Sequence, residues 1–112
     1  MVPINFHTVN VNGLGDDLKR QVVLNKLWKS NEDCLFLQET HSTRETEASW
    51  RRMWSGQVHF SHGTSNARGA VILIRDKNAT LHQMVEEAGR MIIMDITISG
   101  KRFTLGNVYA PN

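Results

Sequence analysis

The sequence predicts a layered α/β structure with a mixed sheet and two short helices. Three stretches carry that expectation. Residues 4–37 read as strand, helix, strand, the pattern of a parallel βαβ unit. Ala70-Val71-Ile72-Leu73-Ile74 is an unbroken apolar run, as a strand needs when both its faces are covered. From Met91 to Tyr109, alternating apolar and polar side chains flank Ser99-Gly100, which marks an antiparallel hairpin.

The first strand is expected over Ile4 to Val11, where β-branched residues recur with a period near two. Asn12-Gly13-Leu14-Gly15 ends it as a glycine-bearing turn. Asp16 or Asp17 can cap the next helix by accepting from its free backbone N–H groups and complementing its dipole. That helix is expected over Leu18 to Ser30. Val23, Leu24, Leu27 and Trp28 form its apolar stripe, and Lys19, Lys26 and Lys29 face away. After the short Asn31-Glu32-Asp33 loop comes Cys34 to Leu37, a buried strand that runs abruptly into Gln38-Glu39. Ser42-Thr43-Arg44-Glu45 has the spacing of a capping box, and the helix it opens, reaching about Trp54, buries Trp50, Met53 and Trp54.

Gln57 to Ser61 reads as a short strand, and His62 to Gly69 as a polar loop before the central strand Ala70–Ile74. Thr80 to Val85 is a weaker strand, Glu86 to Gly89 a turn, and Met91–Ile98 with Lys101–Tyr109 the closing hairpin. Two short helices are few for a sheet of six or seven strands, so one face is expected to be bare. On that ground residues 1–112 are read as the N-terminal piece of a larger domain.

A chain of 112 residues is at the lower end of domain size. Its 40% hydrophobic and 21% charged residues are those of a globular protein, not a disordered one. A net charge of +2 is compatible with a nucleic-acid partner but does not argue for one. The single cysteine, Cys34, excludes an internal disulfide framework and a Cys-based zinc site and fits a reducing compartment. At the start of a buried strand it reads as a small hydrophobe. No window approaches the roughly 18 apolar residues of a membrane helix. The N-terminus lacks the basic and apolar segments of a signal peptide. The expectation is a soluble intracellular protein with no membrane partner.

The chemistry gathers at strand ends. Asn10 and Asn12 close the first strand and Glu39 closes the second. Parallel strands joined by a helix bring those ends together, where open α/β folds bind ligands. A carboxylate beside carboxamide oxygens suits a hard cation such as Mg²⁺, which polarises phosphoryl oxygens. Tyr109 and Asn112 can supply hydrogen bonds to the phosphate. Each position also has a plain structural reading: Asn-x-Asn-Gly as a turn, Glu39 as a solvated residue after a strand, Tyr109 as packing, Pro111-Asn112 as a turn. Trp28, Trp50 and Trp54 read as core aromatics rather than base-stacking platforms, and Arg51-Arg52 and Lys101-Arg102 as solvated surface. Arg68, in the polar loop, is the better candidate for a DNA-backbone contact.

Three ordered motifs add a resemblance. Thr8-Val9-Asn10-Val11-Asn12-Gly13-Leu14, Phe36-Leu37-Gln38-Glu39-Thr40-His41 and Asn107-Val108-Tyr109-Ala110-Pro111-Asn112 resemble those of the endonuclease/exonuclease/phosphatase superfamily. Within it, the chain most resembles the apurinic-type endonuclease domain that opens non-LTR (LINE-type) retrotransposon polyproteins, where a reverse transcriptase follows. Lys19-Arg20, Trp50, Trp54, the run from Gly69 to Ile74 and Gly89-Arg90 agree with it. The resemblance implies the N-terminal half of a four-layer α/β sandwich, with this chain supplying about one of its two stacked sheets. It implies a hydrolase, dependent on Mg²⁺ with Mn²⁺ as the alternative, that nicks double-stranded DNA for retrotransposition, with the nucleus as its place of action.

By the same resemblance, Glu39 matches the metal-ligating glutamate and Asn10 the asparagine that orders the metal and phosphate site. Tyr109 matches the tyrosine on the scissile phosphate, and Asn112 the asparagine closing that motif. Asn12 stands where many relatives carry aspartate. His41 stands where repair-type enzymes carry lysine, which favours the retroelement branch. It can touch a phosphate when protonated, or be an exposed loop imidazole. The superfamily's Asp-x-Asn motif and late Asp-His pair have no match here, since His7, His59, His62 and His82 lie elsewhere. The chain is therefore expected to lack the C-terminal half of its domain and to be inactive alone. The alternatives are a repair-type apurinic endonuclease, a phosphatase of inositol or sphingolipid type, or a non-catalytic remnant.

Overall fold

A computed structural model describes residues 3–109. The elements in chain order are β1 (Phe6–Asn10), α1 (Asp17–Lys29), β2 (Cys34–Gln38), α2 (Glu47–Met53), β3 (Gln57–Ser61), β4 (Ala70–Ile74), β5 (Thr80–Glu87), β6 (Met91–Ile98) and β7 (Lys101–Val108). The expected α/β architecture and its two short helices are present. The single sheet is not. The strands divide into a four-stranded mixed sheet, ordered β1-β2-β4-β3, and a three-stranded antiparallel sheet, ordered β5-β6-β7. The chain therefore contributes to both sheets of a sandwich instead of supplying about one.

The division follows from β4. All five of its residues are buried because they serve two cores. Val71 and Leu73 join Leu35, Leu37, Leu24, Trp50 and Trp54 beneath the helices. Ala70, Ile72 and Ile74 face the other way and meet Ile92, Met94, Ile96, Ile98 and Leu105 of the second sheet. Strand periodicity assigns side chains to faces but does not say which strand lies beside which. The turn Asp76–Ala79, where the Asn78 amide donates to Asp76 Oδ1 at 2.9 Å, leads the chain from one sheet to the other.

Helix α1 starts as expected, with Asp16 Oδ2 accepting from the Lys19 amide at 2.8 Å. Leu24 is buried, and Val23, Leu27 and Trp28 pack against the same core. The stripe also includes Arg20, which is fully buried. Its guanidinium donates to the Leu14 carbonyl at 2.7 Å and Ser49 Oγ at 2.7 Å, and it pairs with Asp17. It thereby clamps the loop after β1 to α2. A buried charge is tolerated only with partners of this kind.

The expected capping box is displaced by one residue. Thr43 is the N-cap of a 3-10 turn over Arg44–Thr46, and its amide donates to Thr46 Oγ1 at 3.2 Å. Ser42 is buried instead, accepting from Thr40 Oγ1 at 3.0 Å. Helix α2 nevertheless buries Trp50 and, just past its end, Trp54, whose Nε1 donates to the Ile74 carbonyl at 3.1 Å.

Cys34 lies in the core between the sheets, where burial and the neighbouring Asp33 push its thiol up to about 12. His59, on β3, bonds Gln57 Oε1 through Nε2 at 3.0 Å. Burial, reinforced by Arg51, brings its imidazole down to about 4 from 6.5. The unfolded chain therefore takes up this proton first as pH falls. Stability is full above 6.5 and is lost toward 4, by up to about 3 kcal/mol. Thermal melting across that range should show the decline, and His59→Gln should flatten it; an equal slope in the variant would refute the assignment.

Candidate active site

The C-terminal ends of the parallel strands β1 and β2 lie side by side, with Asn10 opposite Gln38. Strands β3, β5 and β7 also finish at this end, and β4 and β6 begin here, so the loops between them form one rim. Backbone hydrogen bonds stitch the loops together. The Gly13 amide donates to the Glu39 carbonyl at 2.6 Å and the Leu14 amide to that of Thr40 at 2.9 Å. The Thr40 and His41 amides donate to the carbonyls of Gly69 at 3.1 Å and Arg68 at 2.8 Å. The Gly69 amide then donates to the Gly89 carbonyl at 3.0 Å, and the Tyr109 amide to that of Arg90 at 2.8 Å.

This rim concentrates unusual backbone. Asn12, Glu39, His41, Arg68 and Ala88 all have positive φ, as do Gly13, Gly69 and Gly89. A glutamate held at φ 57° is disfavoured unless its surroundings over-determine it. Here the surroundings are two glycines. A Cβ on Gly13 would lie 2.7 Å from His41 Nδ1, and one on Gly69 would lie 2.4 Å from Thr40 Oγ1. The Glu39-Thr40-His41 segment is thus held between two backbone surfaces that no side chain could replace.

The side chains converge at the centre of the rim. Tyr109 approaches the Glu39 carboxylate, whose pull on the hydroxyl proton, with desolvation and the carboxylate's charge, holds the phenol above its ordinary 10.0. His41 Nε2 lies 3.4 Å from Glu39 Oε2. Asn10 ends β1 next to them and accepts from the Asn12 amide through Oδ1 at 3.1 Å. Asn12 is the turn residue, and its carbonyl accepts from Lys19 Nζ at 3.0 Å. Arg68 adjoins the site through its backbone carbonyl on His41. Asn112 lies outside the described residues. Among the described residues, no group of three or more His, Cys, Asp or Glu side chains could hold a metal ion. Nor is any helix among them long and apolar enough to cross a membrane.

Two further residues support the rim from below and were not singled out from the sequence. Asn107 is 2% exposed, and its Nδ2 donates to the carbonyls of Leu37 and Val71, both at 3.0 Å. Its Oδ1 accepts from Gln38 Nε2 at 2.7 Å. A signal for it existed. Phe103, Leu105 and Asn107 recur with period two on the inward face of β7, so an amide there must be buried and paired.

No protein-family model matches the chain. In fold, it superposes on an AP endonuclease from Archaeoglobus fulgidus with a TM-score of 0.72 and 22% identity, covering 97% of this chain and 42% of that one. It superposes on a humanized D. rerio TDP2 with a TM-score of 0.64 and 17% identity, covering 92% of this chain and 45% of that one. The chain belongs to the same fold class as these two proteins. Within that class, its sequence is similar to a transposon protein. It is 36% identical over 110 residues to the Transposon TX1 uncharacterized 149 kDa protein of Xenopus laevis. That match spans 96% of this chain and 8% of the larger protein.

Proposed function

We propose that this chain carries the first half of the active site of a Mg²⁺-dependent DNA endonuclease of a retrotransposon. The observation that carries the reading is the approach of Tyr109 to the Glu39 carboxylate beside the end of β1, where Asn10 stands. Residues 70 positions apart meet there. The structural readings of a terminal tyrosine and a solvated glutamate do not account for that meeting, nor for the positive φ of Glu39.

The donors fit a Mg²⁺ ion. The ion is content with one or two carboxylates and keeps several waters; Glu39 presents a partly exposed carboxylate, and Asn10 ends the neighbouring strand with a carboxamide oxygen. Glu39 would hold it and Asn10 would complete the oxygen environment; Mn²⁺ suits the same donors. When bound, the ion supplies positive charge to a phosphoryl oxygen. Tyr109 stays protonated through the neutral range, so its hydroxyl remains a donor to the scissile phosphate when released from Glu39. Asn112, His41, Asn12 and Arg68 are assigned to the phosphate and the DNA strand around it, with double-stranded DNA as the partner.

The groups that activate the attacking water belong, in this proposal, to a second half of the domain. The chain spans under half of the solved structures it superposes on. Helices cover the four-stranded sheet, whereas Val85, Ile93 and Val108 are exposed on the outward face of the other. Strands β1 and β7 each pair on one side only among the described residues. We assign that face and those edges to the second half. The likeness to an AP endonuclease supports a repair-type enzyme as the second reading; the similarity to a transposon protein favours the first and, with it, action in the nucleus.

A polypeptide extended through the second half should nick supercoiled plasmid in Mg²⁺, and the 112-residue chain should not. Robust nicking by the 112-residue chain alone would show that this division of the site is wrong.

A further inference from the structure

A polar network lies directly beneath the strand ends that carry Asn10, Glu39 and Tyr109. Gln38 Nε2 donates to Thr8 Oγ1 at 3.0 Å on one side and to Asn107 Oδ1 at 2.7 Å on the other. Asn107 then caps the carbonyls of Leu37 and Val71, which face each other across β2 and β4. One amide from the second sheet thus grips two strands of the first. Each member adjoins a site residue along its own strand. Thr8 is two residues before Asn10 and Asn107 two before Tyr109, so each pair shares a strand face, while Gln38 immediately precedes Glu39.

We infer that Thr8, Gln38 and Asn107 are positioning residues that set the separation of Asn10, Glu39 and Tyr109 by locking the two sheets in register. The inference rests on the reading of those three as site residues. Its physical basis is the difference between apolar and polar contact. The space between the sheets is otherwise filled by Ile72, Ile92, Met94 and Leu105, whose burial is non-directional and does not by itself select one register. Carboxamides in that space are costly unless bonded, and the bonds of Asn107 to Gln38, Leu37 and Val71 depend on one alignment of β7 over β2 and β4. A shift of β7 by one residue turns Asn107 outward and breaks these three bonds.

Tyr109 is the single tyrosine of the chain, so a ring-fluorinated tyrosine reports from that position alone. In the otherwise unaltered protein, Glu39→Gln should shift its fluorine NMR resonance. In Asn107→Ala, and in the near-isosteric Gln38→Met, the same Glu39→Gln step should move the resonance by less than half as much, with cooperative melting retained. A merely stabilising role would lower the melting temperature and leave the response to Glu39→Gln intact, which would overturn the inference. An absent response in the unaltered protein would also overturn it. If Asn107→Ala does not fold, Gln38→Met decides. The readout needs no nuclease activity, so failure here and failure of the nicking assay are separate results.

Discussion

Glu39→Gln, made in a polypeptide that contains both halves of the domain, is expected to lower Mg²⁺-dependent nicking about a thousandfold. Glutamine preserves the volume and an oxygen for Tyr109 to bond, so it tests the charge and little else. Losing a single preorganised electrostatic contact at a reacting phosphate costs roughly 3–4 kcal/mol in the barrier, which corresponds to that factor. The side chain is only partly buried, so folding should be affected by no more than about 1 kcal/mol. Single-turnover nicking together with thermal melting checks both halves of the statement. A rate within about tenfold of the unaltered protein at saturating Mg²⁺ would remove Glu39 from the metal site.

Gly69→Ala should strongly destabilise the fold. Gly69 has φ +99°, and a Cβ there would lie 2.4 Å from Thr40 Oγ1, 2.9 Å from the His41 amide nitrogen and 3.1 Å from that of Ser42. Two of these neighbours are backbone and cannot rotate away. Left-handed backbone costs an alanine about 1–2 kcal/mol and overpacking a further 1–3 kcal/mol. A loss of about 2–5 kcal/mol is expected, seen as a fall in melting temperature of roughly 10 °C or more. The strain can be relieved only by moving the Thr40–His41 segment, so nicking by the two-half polypeptide should fall as well. Gly100→Ala is the control, because a Cβ there meets nothing within 4 Å. Equal melting temperatures for the two variants would show that the loop is less tightly held than these distances imply.

Much of the local structure was legible in the residues. Asp16 capped α1 as read, the unbroken apolar run Ala70–Ile74 became a wholly buried strand, and Ser99-Gly100 turned the hairpin with both residues at positive φ. These are short-range matters of backbone preference and side-chain period. The capping box failed because Ser42 had a stronger use. It is buried between Thr40 Oγ1 and His62 Nδ1, at 3.0 and 3.3 Å, and the cap moved to Thr43. Such a tertiary partner leaves no trace in local spacing.

The candidate site divides along the same line. Asn10, Asn12, Glu39 and His41 could be brought together from the sequence, because a βαβ unit places the ends of its parallel strands side by side. Tyr109 is another matter. Its position opposite Glu39 depends on the chain leaving the first sheet after Ile74 and returning over it in the second, 70 residues after Glu39. Periodicity determined which faces of these strands are apolar. Only the tertiary structure decided that the apolar faces stack as two sheets, because apolar burial rewards any pairing that excludes water. The choice among pairings is made by directional contacts: Asn107 on Leu37 and Val71, the Gly69 amide on Gly89, and the Tyr109 amide on Arg90.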